Sequence, residues 1–145
     1  MSNFKLNFIH LCDEATFSQE GKLSLIGIFD VVNVVNLPGS LVKAVLVCNF
    51  SVLNQKLDTV KLDISISKEE EQEPVFKLPT ISANLVRKQN PSIKDDENKI
   101  GMSLQLTNLQ FKSEGNYFIN VVVNGELLGK YKFSVNKIQS KRNIN

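Results

Sequence analysis

The sequence predicts an all-β protein: an antiparallel, two-layer sandwich of about eight or nine strands. Three observations carry that expectation. Leu104 and Leu106, then Tyr117, Ile119, Val121 and Val123, then Tyr131, Phe133 and Val135 recur with a period of two, which places one set of side chains on one face of a sheet. Asn124-Gly125 lies between the last two runs and supplies the two consecutive positive-φ residues of a tight hairpin. Helix is poorly served, because no long segment carries apolar residues at three-four spacing and alanine is scarce.

The elements follow in order. Phe4 to Asp13 reads as a strand with apolar residues on both parities, the mark of a bulge or of cover on both faces. Glu20-Gly21 is a turn, and Leu23 to Ile28 a second strand that continues through Val31 to Val35 past a kink at Gly27. Leu37-Pro38-Gly39 breaks the chain, since proline cannot donate to a ladder. Val42 to Val52 is the third strand, with Val45 and Val47 opposite the face that holds Ala44, Leu46, Cys48 and Phe50. Val60, Leu62, Ile64 and Ile66 alternate with Lys61, Asp63, Ser65 and Ser67, a strand with one wet face.

Lys68 to Glu73 reads as a charged turn. Phe76, Leu78, Ile81 and Leu85 form a weaker strand that Pro79 interrupts, which argues for a sheet edge or a switch between sheets. Gln89 to Lys99 is a long polar connection, and Ile100 to Leu106 a strand before the closing hairpin. The expected core is Phe8, Leu25, Leu46, Cys48, Phe50, Leu62, Ile64, Met102, Leu104, Leu106, Tyr117, Ile119, Val121 and Phe133. Residues 1–136 form one sandwich domain, and 137–145 a polar, basic, frayed tail.

Composition bounds the function. A chain of 145 residues with 42% hydrophobic content supports one core that buries about 68–70% of the unfolded surface. The net charge is only +2, the charges are interspersed, and arginine occurs only at 87 and 142, so no strongly basic face is implied. The start, Met1 to Asn7, lacks the basic and uninterrupted apolar run of a signal peptide. No run approaches about 18 apolar residues, and the expected compartment is the cytoplasm. Cys12 and Cys48 lie in apolar runs and read as buried free thiols rather than a disulfide.

Two segments carry a resemblance. The first is Leu11-Cys12-Asp13-Glu14-Ala15 with Gly21-Lys22-Leu23-Ser24-Leu25-Ile26-Gly27-Ile28-Phe29-Asp30 and then Leu37-Pro38. The second is Leu109-Gln110-Phe111, Gly115-Asn116-Tyr117-Phe118-Ile119 and Val123-Asn124-Gly125-Glu126. Together they resemble a family of small uncharacterised bacterial proteins known only as a domain of unknown function. The resemblance implies an immunoglobulin-like sandwich and no activity, substrate or site. Gly21, Gly27 and Gly115 then read as a turn, a bulge and a corner. Tyr117 reads as a tyrosine corner, its ring in the core and its hydroxyl returned to backbone.

No constellation of catalytic residues is recognisable. The single histidine, His10, lies two residues from Cys12, about 6.5–7 Å along a strand, without a third group to orient it. Asp13 and Asp30, in a simple hairpin, come out about 20 Å apart, too far for paired-carboxylate chemistry. Asp95-Asp96-Glu97-Asn98 lacks the spacing of a calcium loop. The nine phenylalanines mostly fall at core parity, against base stacking. The sequence therefore predicts no catalytic residue, no cofactor and no metal. The expected function is a non-catalytic binding or assembly module acting through protein–protein contacts at loops or a sheet edge, including self-association through an edge. The Gln89–Lys99 connection and the strand near Pro79 are the candidate surfaces. A small-ligand binder or enzyme with an unrecognised site is the alternative, and a weak nonspecific nucleic-acid binder the third.

Overall fold

The computed structural model describes residues 2–85 and 98–139. Its ten strands are β1 (Phe4–Phe17), β2 (Leu23–Ile28), β3 (Val31–Val34), β4 (Gly39–Val52), β5 (Thr59–Lys68), β6 (Pro74–Lys77), β7 (Ile81–Asn84), β8 (Asn98–Phe111), β9 (Gly115–Val123) and β10 (Glu126–Lys137). One sheet runs β2–β1–β4–β8 and the other β3–β10–β9–β5, with β6 and β7 sharing the far side of β5. The two sheets pack as an immunoglobulin-like β-sandwich, one strand richer than the upper expectation.

Two of the expected strands divide, one at Pro79 and the other at Gly27, where the chain kinks and then leaves the first sheet instead of continuing in it. Phe29 N donates to Leu11 O of the first sheet, and Asp30 O accepts from Ser134 N of the second. Val31–Val34 therefore becomes β3, paired in parallel with β10, so the sandwich is not wholly antiparallel. Pro79 acts as its chemistry requires: it separates β6 from β7, and both lie at the edge beside β5. Three boundaries run further than the residue pattern implied. β1 extends to Phe17, β8 to Phe111, and β10 to Lys137, after which Ile138 N still donates to Val34 O. Lys137, expected in the tail, is thus the last residue of β10.

The interior between the sheets contains Leu46, Cys48, Phe50, Leu62, Ile64, Leu106, Tyr117, Ile119, Val121 and Phe133, as expected, together with Phe4, Val60, Leu109, Phe111, Val123 and Val135. Met102 and Leu104 are only partly buried against it, because β8 is an edge strand. Phe8 and Leu25 are not in this core. They pack with Ala15 and Leu23 on a second cluster around buried Cys12, Val45 and Val47. A bulge between Leu6 and Phe8 explains the shift, since it turns Phe8 away from the face that holds Phe4.

A second parity change occurs in two strands at once. Leu41 pairs with Leu109 and Lys43 with Thr107, yet the inward series passes from Ala44 to Leu41 and from Leu106 to Leu109. Asn108 takes a φ of 52° at the step, and its partner position Val42 is left 70% exposed.

The sheets are joined at one end by aromatic rings. Phe111 of the first sheet lies 5.1 Å from Tyr117 and 5.8 Å from Phe133 of the second, both edge-on. The Tyr117 hydroxyl donates to Ser113 O at 2.6 Å, a tyrosine corner. At the other end Asn124 and Gly125 turn the last hairpin with φ of 49° and 80°. Asn124 N donates to Lys61 O, and Asn124 Oδ1 accepts from Lys61 N at 2.7 Å, tying the turn to β5.

Cys12 and Cys48 are both free and buried, in different clusters. Burial raises the Cys48 thiol to about 11 from an ordinary 9.0. A thiol whose folded pKa is raised stabilises the fold fully below pH 9 and loses that contribution as pH rises through about 11, because the unfolded chain ionises first. Denaturation across this window should show a fall in stability on the order of 2–3 kcal/mol, and Cys48→Ala should lack that component. A Cys48→Ala slope identical to the parent's would contradict the assignment. Tyr117→Phe, which leaves the Ser113 carbonyl without its donor, should lower urea stability by about 1–2 kcal/mol with unchanged m.

Candidate interaction surface

The sandwich has strand edges on both flanks, and their chemistry differs. β6 opens with Pro74 and closes with Lys77, residues that protect an edge from pairing. β2 reads Leu-Ser-Leu-Ile-Gly-Ile, without charge or proline, and its only strand partner among the described residues is β1. Ile26 and Ile28 on it are 55% and 54% exposed, and Val31 at the start of β3 is 44% exposed. Val42, turned outward by the parity change in β4, completes the set.

These side chains share one surface. Ile26 and Val42 line a shallow depression with Asp13, Glu14, Ser40, Leu41 and Lys43. Ile28 and Val31 line the adjoining one with Gly27, Phe29 and Val32, and Asp13 and Leu41 belong to both. A contiguous apolar strip therefore crosses from β2 to β4 and β3, with the Asp13 carboxylate within it and the exposed Glu14–Lys43 pair, 3.9 Å apart, on its rim.

Gly27 organises this surface. It adopts a φ of 70° opposite Asp13, and a Cβ there would overlap the Asp13 carboxylate. The register also corrects the expected separation of Asp13 and Asp30. Cys12 pairs with Ile28 and Glu14 with Ile26, so Asp30 lies only three residues, at most about 11 Å of chain, beyond the position facing Asp13. Asp30 sits at the crossing between sheets, and its backbone carbonyl rather than its carboxylate has the structural partner.

The other sequence candidates resolve differently. His10 stacks on Phe8 with ring centroids 5.9 Å apart. The Cys12 Sγ donates instead to Glu14 O at 3.3 Å and Val45 O at 3.6 Å. Its pKa is raised by burial first and by the Asp13 charge second, against a lowering backbone hydrogen bond at Glu14. The geometry pairs neither residue for nucleophilic chemistry. Tyr131, also raised chiefly by burial, donates to Phe29 O at 2.6 Å and pins the sheet crossing. Asp95, Asp96 and Glu97, and most of the Gln89–Lys99 connection, lie outside the described residues.

On the opposite flank of the sandwich, a cleft of about 390 Å³ opens between the β5–β6 turn and the β8–β9 corner. Its floor is Phe111 and Tyr117, and Lys68 Nζ donates to Ser113 Oγ inside it at 2.6 Å. The pattern of residues had marked Gly115 and Tyr117 as a corner but read Lys68 only as the start of a charged turn.

Fold and surface define a small immunoglobulin-like sandwich domain with an unprotected apolar edge. The chain belongs to a family of unknown function, DUF6941, whose model matches residues 7–136. A search of curated proteins returned no match. Among solved structures, the chain is similar to part of the alkylpurine DNA glycosylase AlkC of Pseudomonas fluorescens, solved bound to DNA containing an abasic-site analogue. The TM-score is 0.52 and the identity 13%, over 93% of this chain and 31% of the glycosylase. A β-glucosidase from Listeria innocua matches at a TM-score of 0.49 and 8% identity, over 94% of this chain and 16% of that one. An immunoglobulin-like protein from Pseudomonas aeruginosa matches at 0.43 and 15%, over 93% and 98%. The first of these is a likeness of fold alone. No helix among the described residues is long and apolar enough to cross a membrane.

Gly27→Ala should lower stability by roughly 1–2 kcal/mol, from the left-handed backbone and the overlap with Asp13 together. Asp13→Ala in the same background should restore part of the loss. Thermal unfolding of the two variants checks this; an unchanged midpoint for Gly27→Ala would contradict it.

Proposed function

We propose that this domain is a non-catalytic binding or assembly module of the cytoplasm, acting through protein–protein contact along the β2–β3 edge. The carrying observation is the strip of Ile26, Ile28, Val31 and Val42, each between 44% and 70% exposed and sharing two adjoining depressions. Scattered apolar residues on a surface are ordinary, whereas contiguous ones rimmed by polar groups mark contact sites. Completing the burial of each contributes roughly 1 kcal/mol to a complex. The occupant that suits the strip is a second polypeptide presenting an apolar strand or face of similar width, whether another protein or a second copy.

Two further features support the reading. The edge lacks the charge and proline that guard β6. Cys12 and Cys48 remain free thiols in separate clusters, which suits a reducing compartment. A nucleic-acid partner is less favoured, given a net charge of +2 and burial of Phe4, Phe50, Phe111 and Phe133.

The test is a triple substitution, Ile26→Ser, Ile28→Ser and Val42→Ser, compared with the parent by sedimentation velocity and by capture of bound proteins from native lysate. The melting midpoint should change little, since all three side chains are exposed. Self-association or bound partners of the parent should be lost. A triple variant that sediments identically and retains every partner would remove this surface from the function.

A further inference from the structure

We propose that the cleft at the β5–β6 end binds a small monocarboxylate with an apolar body, its carboxylate received by Lys68 Nζ and Ser113 Oγ.

The position of Lys68 is built. Gly115, with φ of 142°, would place a Cβ only 2.9 Å from Lys68 Cε, so the glycine leaves the path for the lysine stem. Lys68 Nζ is then held by Ser113 Oγ at 2.6 Å. Ser113 is fixed in turn, because its carbonyl takes the hydroxyl of buried Tyr117. Among the described residues no carboxylate lies within ion-pairing distance of Lys68; the exposed pairs are Lys22–Glu20 and Lys43–Glu14. A half-buried cation, preorganised and with no carboxylate in ion-pairing distance among the described residues, is what a carboxylate ligand completes.

The remaining lining selects the ligand. Ser113 Oγ accepts from Lys68, so its own proton is available to donate to a second carboxylate oxygen. Phe111 and Tyr117 on the floor, with Pro74 and Val75, offer an apolar seat, and the volume of about 390 Å³ is that of a small-ligand site. Glu71 and Glu73 stand on the same cleft. They oppose a second negative charge on the ligand and so disfavour dianions and polyphosphates. Lys112 and Gln110 complete the lining.

The test is amide chemical-shift titration of the isotopically labelled protein at constant ionic strength, with acetate, hexanoate and benzoate as probes. Benzoate should give saturable shifts centred on Lys68, Ser113 and Gly115, acetate should bind more weakly, and benzamide, the neutral analogue of benzoate, should not bind. Lys68→Met should weaken benzoate about tenfold or more, and Ser113→Ala several-fold. Glu71→Gln with Glu73→Gln, both at exposed positions, should admit isophthalate, which the parent refuses. Linear shifts with all three acids overturn the proposal. So do equal shifts from benzamide, or benzoate binding unchanged in a folded Lys68→Met protein. Covalent labelling of Ser113 by an activated ester, without saturable benzoate binding, would overturn it in favour of acyl-transfer chemistry.

Discussion

Strand β4 is buried on both faces, and the rest of the structure is arranged to satisfy it. Ala44, Leu46, Cys48, Phe50 and Val52 face the space between the sheets, while Val45 and Val47 face outward and are buried as well. A strand that is apolar on both sides must be covered on both. The inner cover is the second sheet. The outer cover comes from the same sheet: Phe8, Ala15, Leu23 and Leu25, on β1 and β2, close over Val45, Val47 and Cys12. Where that cover ends, the outer face turns polar. Asn7 Nδ2 then donates to Asn49 Oδ1 at 2.8 Å and to Ser51 Oγ at 2.9 Å.

This demand explains the irregularities as well as the regular core. The bulge after Leu6 delivers Phe8 to the outer cluster while keeping Phe4 in the inner one. The paired parity change at Val42 and Asn108 returns Leu41 and Leu109 to the interior, and its cost is an outward Val42. Gly27 twists β2 so that the chain can cross to the second sheet at Phe29 and Asp30, a crossing held by Tyr131. The exposed strip that forms the candidate contact surface is thus made at the same places where the sandwich adjusts its alternation. On the other flank the corner residues do double service. Gly115, Ser113 and Tyr117 close the fold and also fix the lysine in the end cleft.

The layered β architecture was legible because alternation is a local property: β4, β5, β9 and β10 can be read two residues at a time. Asn124-Gly125 and Pro79 were legible because their backbone chemistry admits few alternatives, and Tyr117 because its spacing from Gly115 recurs at sandwich corners. The crossing at Phe29 was not legible, since Ile28 to Val35 keeps an extended, apolar pattern in either sheet. Phe8 and Leu25 were misplaced because an apolar residue on a strand records burial without recording which face is buried. The contact strip was missed for a related reason. Ile26 and Ile28 have the alternation of half-buried residues, and only the sheet order reveals that β2 is an edge. Lys68 and Ser113 meet across 45 residues of sequence, a separation that no local pattern reports.

The central claim, that a doubly covered β4 anchors the sandwich while β2, an edge strand paired only with β1 among the described residues, is its margin, is tested most directly by native-state amide hydrogen exchange. Amides of β4 between Ala44 and Val52 should exchange only through global unfolding, with the full dependence on denaturant. Those of β2 should exchange through local openings of much lower free energy. Protection in β2 equal to that in β4, or exchange from β4 by local fluctuation, would contradict the account.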